Sequence, residues 1–192
     1  MSKSEENNQE GESENEIICL LGAAAVGKTS IIFRYINNRC PSEHDPTVED
    51  DYKFELKEIG KGQQMTILDT GGEDDYKKYV DGWIKRANYF LLVFSKDVEG
   101  SDTKIELYYN KIMNIKHGKK ISIIIVDNKT DSLNGDNKIS EKVDKFAESK
   151  KLKIIRCSAL MNEKIKDVFD AVIKDYINFE ESKRCCDCCL SF

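Results

Sequence analysis

The chain has 192 residues, a net charge of −5 and seven cysteines. That length fits one domain of ~165 residues plus tails, large enough to bury its own core. The acidic balance gives no nucleic-acid footprint and argues against a generic basic membrane patch, and no stretch approaches the ~20 apolar residues needed to cross a bilayer.

The first sixteen residues hold six glutamates and no apolar run. No signal peptide is expected there, and residues 1–15 read as a disordered acidic tail. Ser2 in place of Gly excludes N-myristoylation. Ile17-Ile18-Cys19-Leu20-Leu21 follows as a buried strand. Next comes Gly22-Ala23-Ala24-Ala25-Val26-Gly27-Lys28-Thr29, which fits the phosphate-loop pattern G-x-x-x-x-G-K-[ST] at every fixed position. Ser30 to Ile36 then reads as a helix. Strand, loop and helix in this order point successive backbone N–H groups at an anion, with the positive helix terminus behind them. Ala24, Ala25, Val26, Gly27, Lys28, Thr29 and Ser30 form the expected phosphate-binding run. Lys28 is expected to reach the β- and γ-phosphates, and the Thr29 hydroxyl to ligate Mg2+.

His44 to Tyr52 is a polar loop containing Pro46. A Thr in such a loop, here Thr47, can swing in to coordinate Mg2+ when a γ-phosphate is present. Glu55–Ile59 and Met65–Leu68 flank Gly60-Lys61-Gly62 and predict a hairpin. Asp69-Thr70-Gly71-Gly72 follows. Asp69 is placed to hold the Mg2+ water shell, and Gly72 leaves room for its N–H to meet a γ-phosphate. Helical patterns cover 75–86, 102–116, 140–149 and 163–180, with Ser140 as an N-cap for the third. Tyr108, Tyr109, Met113 and Phe169 read as helix packing. Continuous apolar runs at 89–94 and 121–126, and a shorter one ending at Cys157, read as strands covered on both faces. Cys19 and Cys157 read as small core residues. The alternation predicts an α/β fold with a largely parallel sheet, in one domain over 16–180.

Asn128-Lys129-Thr130-Asp131 chooses the base. The Asp131 carboxylate can accept from the N1–H and N2 amino group of guanine, which adenine does not offer in that form. Cys157-Ser158-Ala159 follows the last strand, where the Ala159 N–H can meet the guanine O6. A P-loop kinase or ATPase is disfavoured by this set.

With these motifs in this order, the chain resembles the Ras superfamily of small GTPases over roughly residues 16–180. The loop D-P-T-V-E-D-x-Y most resembles the Ras/Rap branch. The resemblance implies a P-loop NTPase with a six-stranded, mostly parallel sheet, one antiparallel edge strand and about five helices. It also implies two switch segments near 42–52 and 70–82 that order around GTP. Asp45, Glu49 and Asp50 become candidate effector contacts, with an exchange factor and a GTPase-activating protein as further partners of a monomer.

The chain departs from the family at chemically meaningful positions. Glu73 stands where a water-positioning Gln is expected; an ionised Glu only accepts hydrogen bonds and adds negative charge beside a phosphate. Ala24 replaces a usual Gly and would crowd an incoming arginine finger, while Ala25 replaces another. Cys40 stands where an aromatic ring usually stacks on the guanine. Gly71 replaces a usual Ala, and Leu160 a usual Lys.

Cys189-Leu190-Ser191-Phe192 forms a C-a-a-X box, with Phe favouring geranylgeranyl. One prenyl group anchors weakly, and Cys185, Cys186 and Cys188 offer S-acylation as the second signal. A zinc site is the rival reading, but Cys-Cys-Asp-Cys-Cys lacks paired CxxC motifs. Residues 181–192 are therefore expected to be a lipidation tail. The expectation is a GTP-hydrolysing signalling switch on the cytoplasmic face of the plasma membrane. Its alternative is a guanine-nucleotide-binding interaction module with little or no hydrolysis.

Overall fold

The computed structural model describes residues 16–41, 47–56, 63–72 and 76–189, with backbone alone at residue 77 and over 183–189. In chain order the elements are β1 (Glu16–Gly22), α1 (Lys28–Asn37), β2 (Glu49–Glu55), β3 (Gln64–Thr70), α2 (Lys77–Arg86), β4 (Tyr89–Phe94), α3 (Ser101–Ile115), β5 (Ser122–Asp127), α4 (Asn137–Lys150), β6 (Lys153–Arg156) and α5 (Ile165–Cys189). The strands form one sheet in the order β2-β3-β1-β4-β5-β6. Every pairing is parallel except β2 with β3, which places an antiparallel strand at the edge. The expected six-stranded architecture with five helices is what forms.

Strand alternation divides the core between the two faces of the sheet. Ile18 and Leu20 of β1, with Tyr89, Leu91 and Val93 of β4, join a cluster that includes Ile31 and Ile32 of α1 and Val168, Phe169 and Val172 of α5. Their neighbours Cys19, Leu21, Phe90, Leu92 and Phe94 join the opposite cluster with Trp83, Ile105, Tyr108, Ile112 and Val143 from α2, α3 and α4. Cys19 and Cys157 are fully buried core residues, and burial pushes both thiols up in pKa. Tyr108, Tyr109 and Phe169 also pack as expected. Met113 does not: it is 44% exposed on α3.

Three local readings need correction. The hairpin strand lies over Glu49–Glu55, not 55–59, so part of the expected switch loop is sheet. Its alternation explains the shift. Tyr52 and Phe54 pack inward, edge-on to Phe33 and Tyr35 at centroid distances of 5.8 and 5.7 Å, while Asp51, Lys53 and Glu55 face out. The expected turn Gly60-Lys61-Gly62 lies outside the described residues. The N-cap of α4 is Asp136, whose carboxylate accepts from the Lys138 N–H at 2.9 Å. Ser140 sits inside that helix instead, with its hydroxyl 3.4 Å from Asp127 Oδ2. The last helix also runs beyond residue 180, to Cys189.

Candidate functional site

The parallel order brings the loops after β1, β3, β5 and β6 to the carboxyl edge of the sheet, where open α/β sheets place their ligands. After β1 the backbone runs through Ala25 (φ 60°) and Gly27 (φ 93°), both left-handed. Alternation of this kind turns successive N–H groups into one concavity, an anion nest, ahead of α1. Gly27 is required twice over, because a Cβ there would meet Asn128 Nδ2 at 2.4 Å. Ala24 and Ala25 are exposed at the crest of the loop, and Ala23 and Val26 are buried beneath it. Lys28 is buried and donates from Nζ to the carbonyls of Gly22 (3.2 Å) and Ala23 (2.9 Å). Burial lowers its pKa to about 8, with the Asp69 charge pulling the other way, so its ammonium stays mostly charged near neutrality.

The hydroxyls of Thr29 and Thr47 share a hydrogen bond at 3.1 Å. Asp69, at the carboxyl end of β3, is 0% exposed, and neither of its carboxylate oxygens has a hydrogen-bond partner among the described residues. Burial pushes its pKa up to about 6, opposed by the nearby Thr29 hydroxyl and the Lys28 charge. A buried carboxylate without partners is costly. Two hydroxyls and an orphaned carboxylate are hard oxygen donors, so this set fits Mg2+. Gly72 lies against the phosphate loop: a Cβ there would stand 2.4 Å from Ala24 N and 2.5 Å from the Ala23 carbonyl. Glu73 and Asp45 lie outside the described residues.

At the other end of the cleft, Asn128 joins three loops. Its Nδ2 donates to the Val26 carbonyl at 2.9 Å, and its Oδ1 accepts from the Ala159 N–H at 3.1 Å. Lys129 adopts φ 60° and reaches Asp97 at 3.4 Å. Asp131 accepts from the Ser158 hydroxyl at 2.5 Å. Cys40 is half-buried beside this loop, its thiol donating to the Ala159 carbonyl at 3.2 Å. The expected guanine-reading residues are thus brought together, although they come from three separate loops.

Glu49 and Asp50 lie on β2 and are exposed, but they differ in their pairing. Glu49 accepts from Trp83 Nε1 at 2.7 Å and from Arg86, and Arg86 also reaches Asp51 at 3.0 Å. This tie from α2 was not legible in the sequence, because 34 residues separate Glu49 from Trp83. Arg34 was missed for the same reason. It is an ordinary polar position on α1, yet its guanidinium donates to the carbonyls of Ala159 and Leu160. A cavity of about 640 Å³ between α2 and α3, lined in part by Val80, Leu107 and Tyr108, contains none of these residues. Among the described residues no helix is long and apolar enough to cross a membrane. Cys185, Cys186, Cys188 and Cys189 fall on the last turns of α5, with their side chains outside the described residues.

Comparison with known proteins agrees with this geometry. The family model described as the Ras family matches residues 17–178. Among curated relatives, the chain is 30% identical to a Ras-like protein rasU of Dictyostelium discoideum, over 88% of this chain and 77% of that one. It is 27% identical to a GTP-binding protein Rheb homolog of the same organism, over 82% of this chain and 85% of that one. A Ras-like protein rasZ matches at 26%, over 86% and 77%. The matched names include both Rheb and Ras, so the likeness holds at the level of the family.

Proposed function

Since the chain belongs to the Ras family of small GTPases, we propose that it binds GTP and GDP with Mg2+, hydrolyses GTP, and works at the cytoplasmic face of a membrane to which C-terminal lipids hold it. The observation that carries the nucleotide reading is Asp69, a fully buried carboxylate whose oxygens have no hydrogen-bond partner among the described residues, beside the paired Thr29 and Thr47 hydroxyls. When bound, Mg2+ supplies positive charge to neutralise the phosphate oxygens and anchor them.

The chain's own groups do the rest. Thr29, Thr47 and Asp69 hold the cation. The nest at Ala25 to Gly27 and the Lys28 ammonium bind and stabilise phosphate charge, where preorganised donors act without reorganising. Gly72 brings its N–H to the phosphate side because only glycine fits against Ala23 and Ala24. Asp131 selects guanine through its N1–H and N2 amino group, with Asn128, Lys129, Ser158 and Ala159 shaping the pocket. Glu73 takes the part of arranging the attacking water. Ala24 limits stimulation by proteins that insert an arginine finger: a large stimulation left unchanged in Ala24→Gly would sink that idea.

The first switch and β2 serve as the effector face. There Asp50 is an exposed acid outside the Glu49–Arg86–Asp51 tie, and Asp45 lies on the adjoining loop. Exchange factors and activating proteins are the further partners. Cys189 in its C-a-a-X box takes the prenyl group, and Cys185, Cys186 and Cys188 take acyl groups, directing the protein to the plasma membrane as a monomer.

A second reading is an interaction module that binds guanine nucleotide but barely hydrolyses it. Glu73 favours it, since an ionised carboxylate cannot donate to a phosphate oxygen. Single-turnover release of phosphate from GTP-loaded protein with Mg2+, measured beside Glu73→Gln, tests both. Slow Mg2+-dependent release that changes in the variant supports the enzyme, and no release from stably bound GTP supports the module. Competition of GTP against ATP checks the base.

A further inference from the structure

Arg34 sits half-buried in the last turn of α1, 125 residues from Ala159 in sequence. Its guanidinium nevertheless makes four contacts. Nε donates to the Ala159 carbonyl at 2.8 Å and Nη2 to the Leu160 carbonyl at 3.0 Å. Nη1 donates to the Asn38 carbonyl at 2.9 Å, and Nη2 also approaches Cys40 Sγ at 3.2 Å. Among the described residues these partners are three carbonyls and a thiol, with no carboxylate. The planar fork therefore acts as a bracket on backbone rather than as half of an ion pair.

What it brackets is chemically specific. Ala159 is the residue whose N–H is expected to meet the guanine O6. That N–H is approached from one side by Asn128 Oδ1, at 3.1 Å. On the other side, the Ala159 carbonyl is held by Arg34 and by the Cys40 thiol. A second bracket lies further along the same loop, where Asn162 Nδ2 donates to Asn38 Oδ1 at 2.9 Å. The end of α1 thus fixes the orientation of the peptides on either side of residue 159.

Resting on the guanine-nucleotide reading above, we infer that Arg34 is the positioning residue of the guanine-reading loop, holding the Ala159–Leu160 segment so that its amide meets the O6 of a guanine nucleotide. Arg34 does not touch the nucleotide. It acts through the carbonyls it holds, and it joins that loop to the chain leading into the first switch through Asn38 and Cys40.

The test compares release of GDP and of 6-thioguanosine 5′-diphosphate from the full chain, for wild type, Arg34→Ala and Arg34→Lys. The thio analogue keeps the N1–H and N2 amino group but offers a weak sulfur acceptor at position 6. Losing a charged bracket worth one to two hydrogen bonds should speed GDP release about tenfold in Arg34→Ala. Release of the thio analogue should rise only about twofold, because the contact at position 6 is already weak. Arg34→Lys should behave nearly as Arg34→Ala, since one ammonium cannot span the three carbonyls. Equal acceleration of both nucleotides would mean general loosening and would overturn the proposal, as would GDP release unchanged in Arg34→Ala. A wild type that holds GDP no better than ADP overturns the guanine reading itself, and this inference with it.

Discussion

Asn128 Nδ2 lies 2.9 Å from the Val26 carbonyl, a hydrogen bond that closes 102 residues of chain and ties the loop after β5 to the loop after β1. The same side chain accepts from the Ala159 N–H, so one amide sets the spacing between three loops at the carboxyl edge of the sheet. Asn128→Ala leaves a buried carbonyl and a buried N–H unpaired, at about 1–3 kcal/mol each before relaxation. The expected result is a loss of about 2–4 kcal/mol in urea unfolding without nucleotide, together with faster GDP release. A loss below about 1 kcal/mol would mean that water replaces both partners.

Asp69→Asn separates stability from ligand binding. The wild-type carboxylate is buried with no hydrogen-bond partner among the described residues, so removing its charge should raise the melting temperature of the nucleotide-free protein at pH 7.5. The same variant should lose the slowing of GDP release that added Mg2+ brings to wild type. A variant whose GDP release still slows with Mg2+ would remove Asp69 from the cation site.

Asp127 gives a pH prediction. Burial pushes its pKa up to about 6, against the pull of Arg156 and Ser140. The folded state therefore holds this proton more tightly than the unfolded chain, whose carboxylate titrates near the ordinary value of about 4. The contribution of this group to stability is greatest below about pH 4, and falls as the pH rises from about 4 through 6. Asp127→Asn should flatten that part of the stability–pH profile by about 1–3 kcal/mol relative to wild type. Asp69 titrates in the same window, so some slope should survive. An unchanged slope would show that Asp127 keeps its ordinary pKa.

Ala25 carries a Cβ at φ 60° in the phosphate loop. A left-handed backbone costs a non-glycine residue about 1–2 kcal/mol, part of which glycine returns through its freer unfolded chain. Ala25→Gly should shift the urea midpoint upward by an equivalent of about 1 kcal/mol. A downward shift would mean that the exposed methyl makes a stabilising contact.

Cys40→Phe should slow GDP release. A ring stacked on a base is worth about 1–3 kcal/mol, more than the weak thiol contacts that Cys40 makes with Arg34 and the Ala159 carbonyl. Stopped-flow displacement of a fluorescent GDP analogue reads the rate. Equal rates in the two proteins would place residue 40 away from the base.

Local motifs were legible because their signals are local. Gly22 to Thr29 needs only a strand, a glycine-bearing loop and a helix, and all three lie within about twenty residues of sequence. The apolar runs at 89–94 and 121–126 were readable because strands covered on both faces carry apolar side chains at every position. The edge strand β2 was misplaced for the converse reason: one of its faces is solvated and acidic, and only Tyr52 and Phe54 signal the other. The cap of α4 was misread because Asp136 and Ser140 are both good capping residues, and the choice between them depends on where the preceding loop leaves the sheet.

The sequence by itself determined the α/β class and the order of strand, glycine-bearing loop and helix around Gly22 to Thr29, since spacing along a chain is enough to specify them. Tertiary structure alone decided that Arg34 brackets Ala159, that Asn128 ties three loops, that Glu49 is held by Trp83 and Arg86, and that Asp69 is buried with no hydrogen-bond partner among the described residues. Each of these depends on which residues the parallel sheet brings to one edge. That in turn follows from strand order, and strand order is not written in any single stretch of sequence.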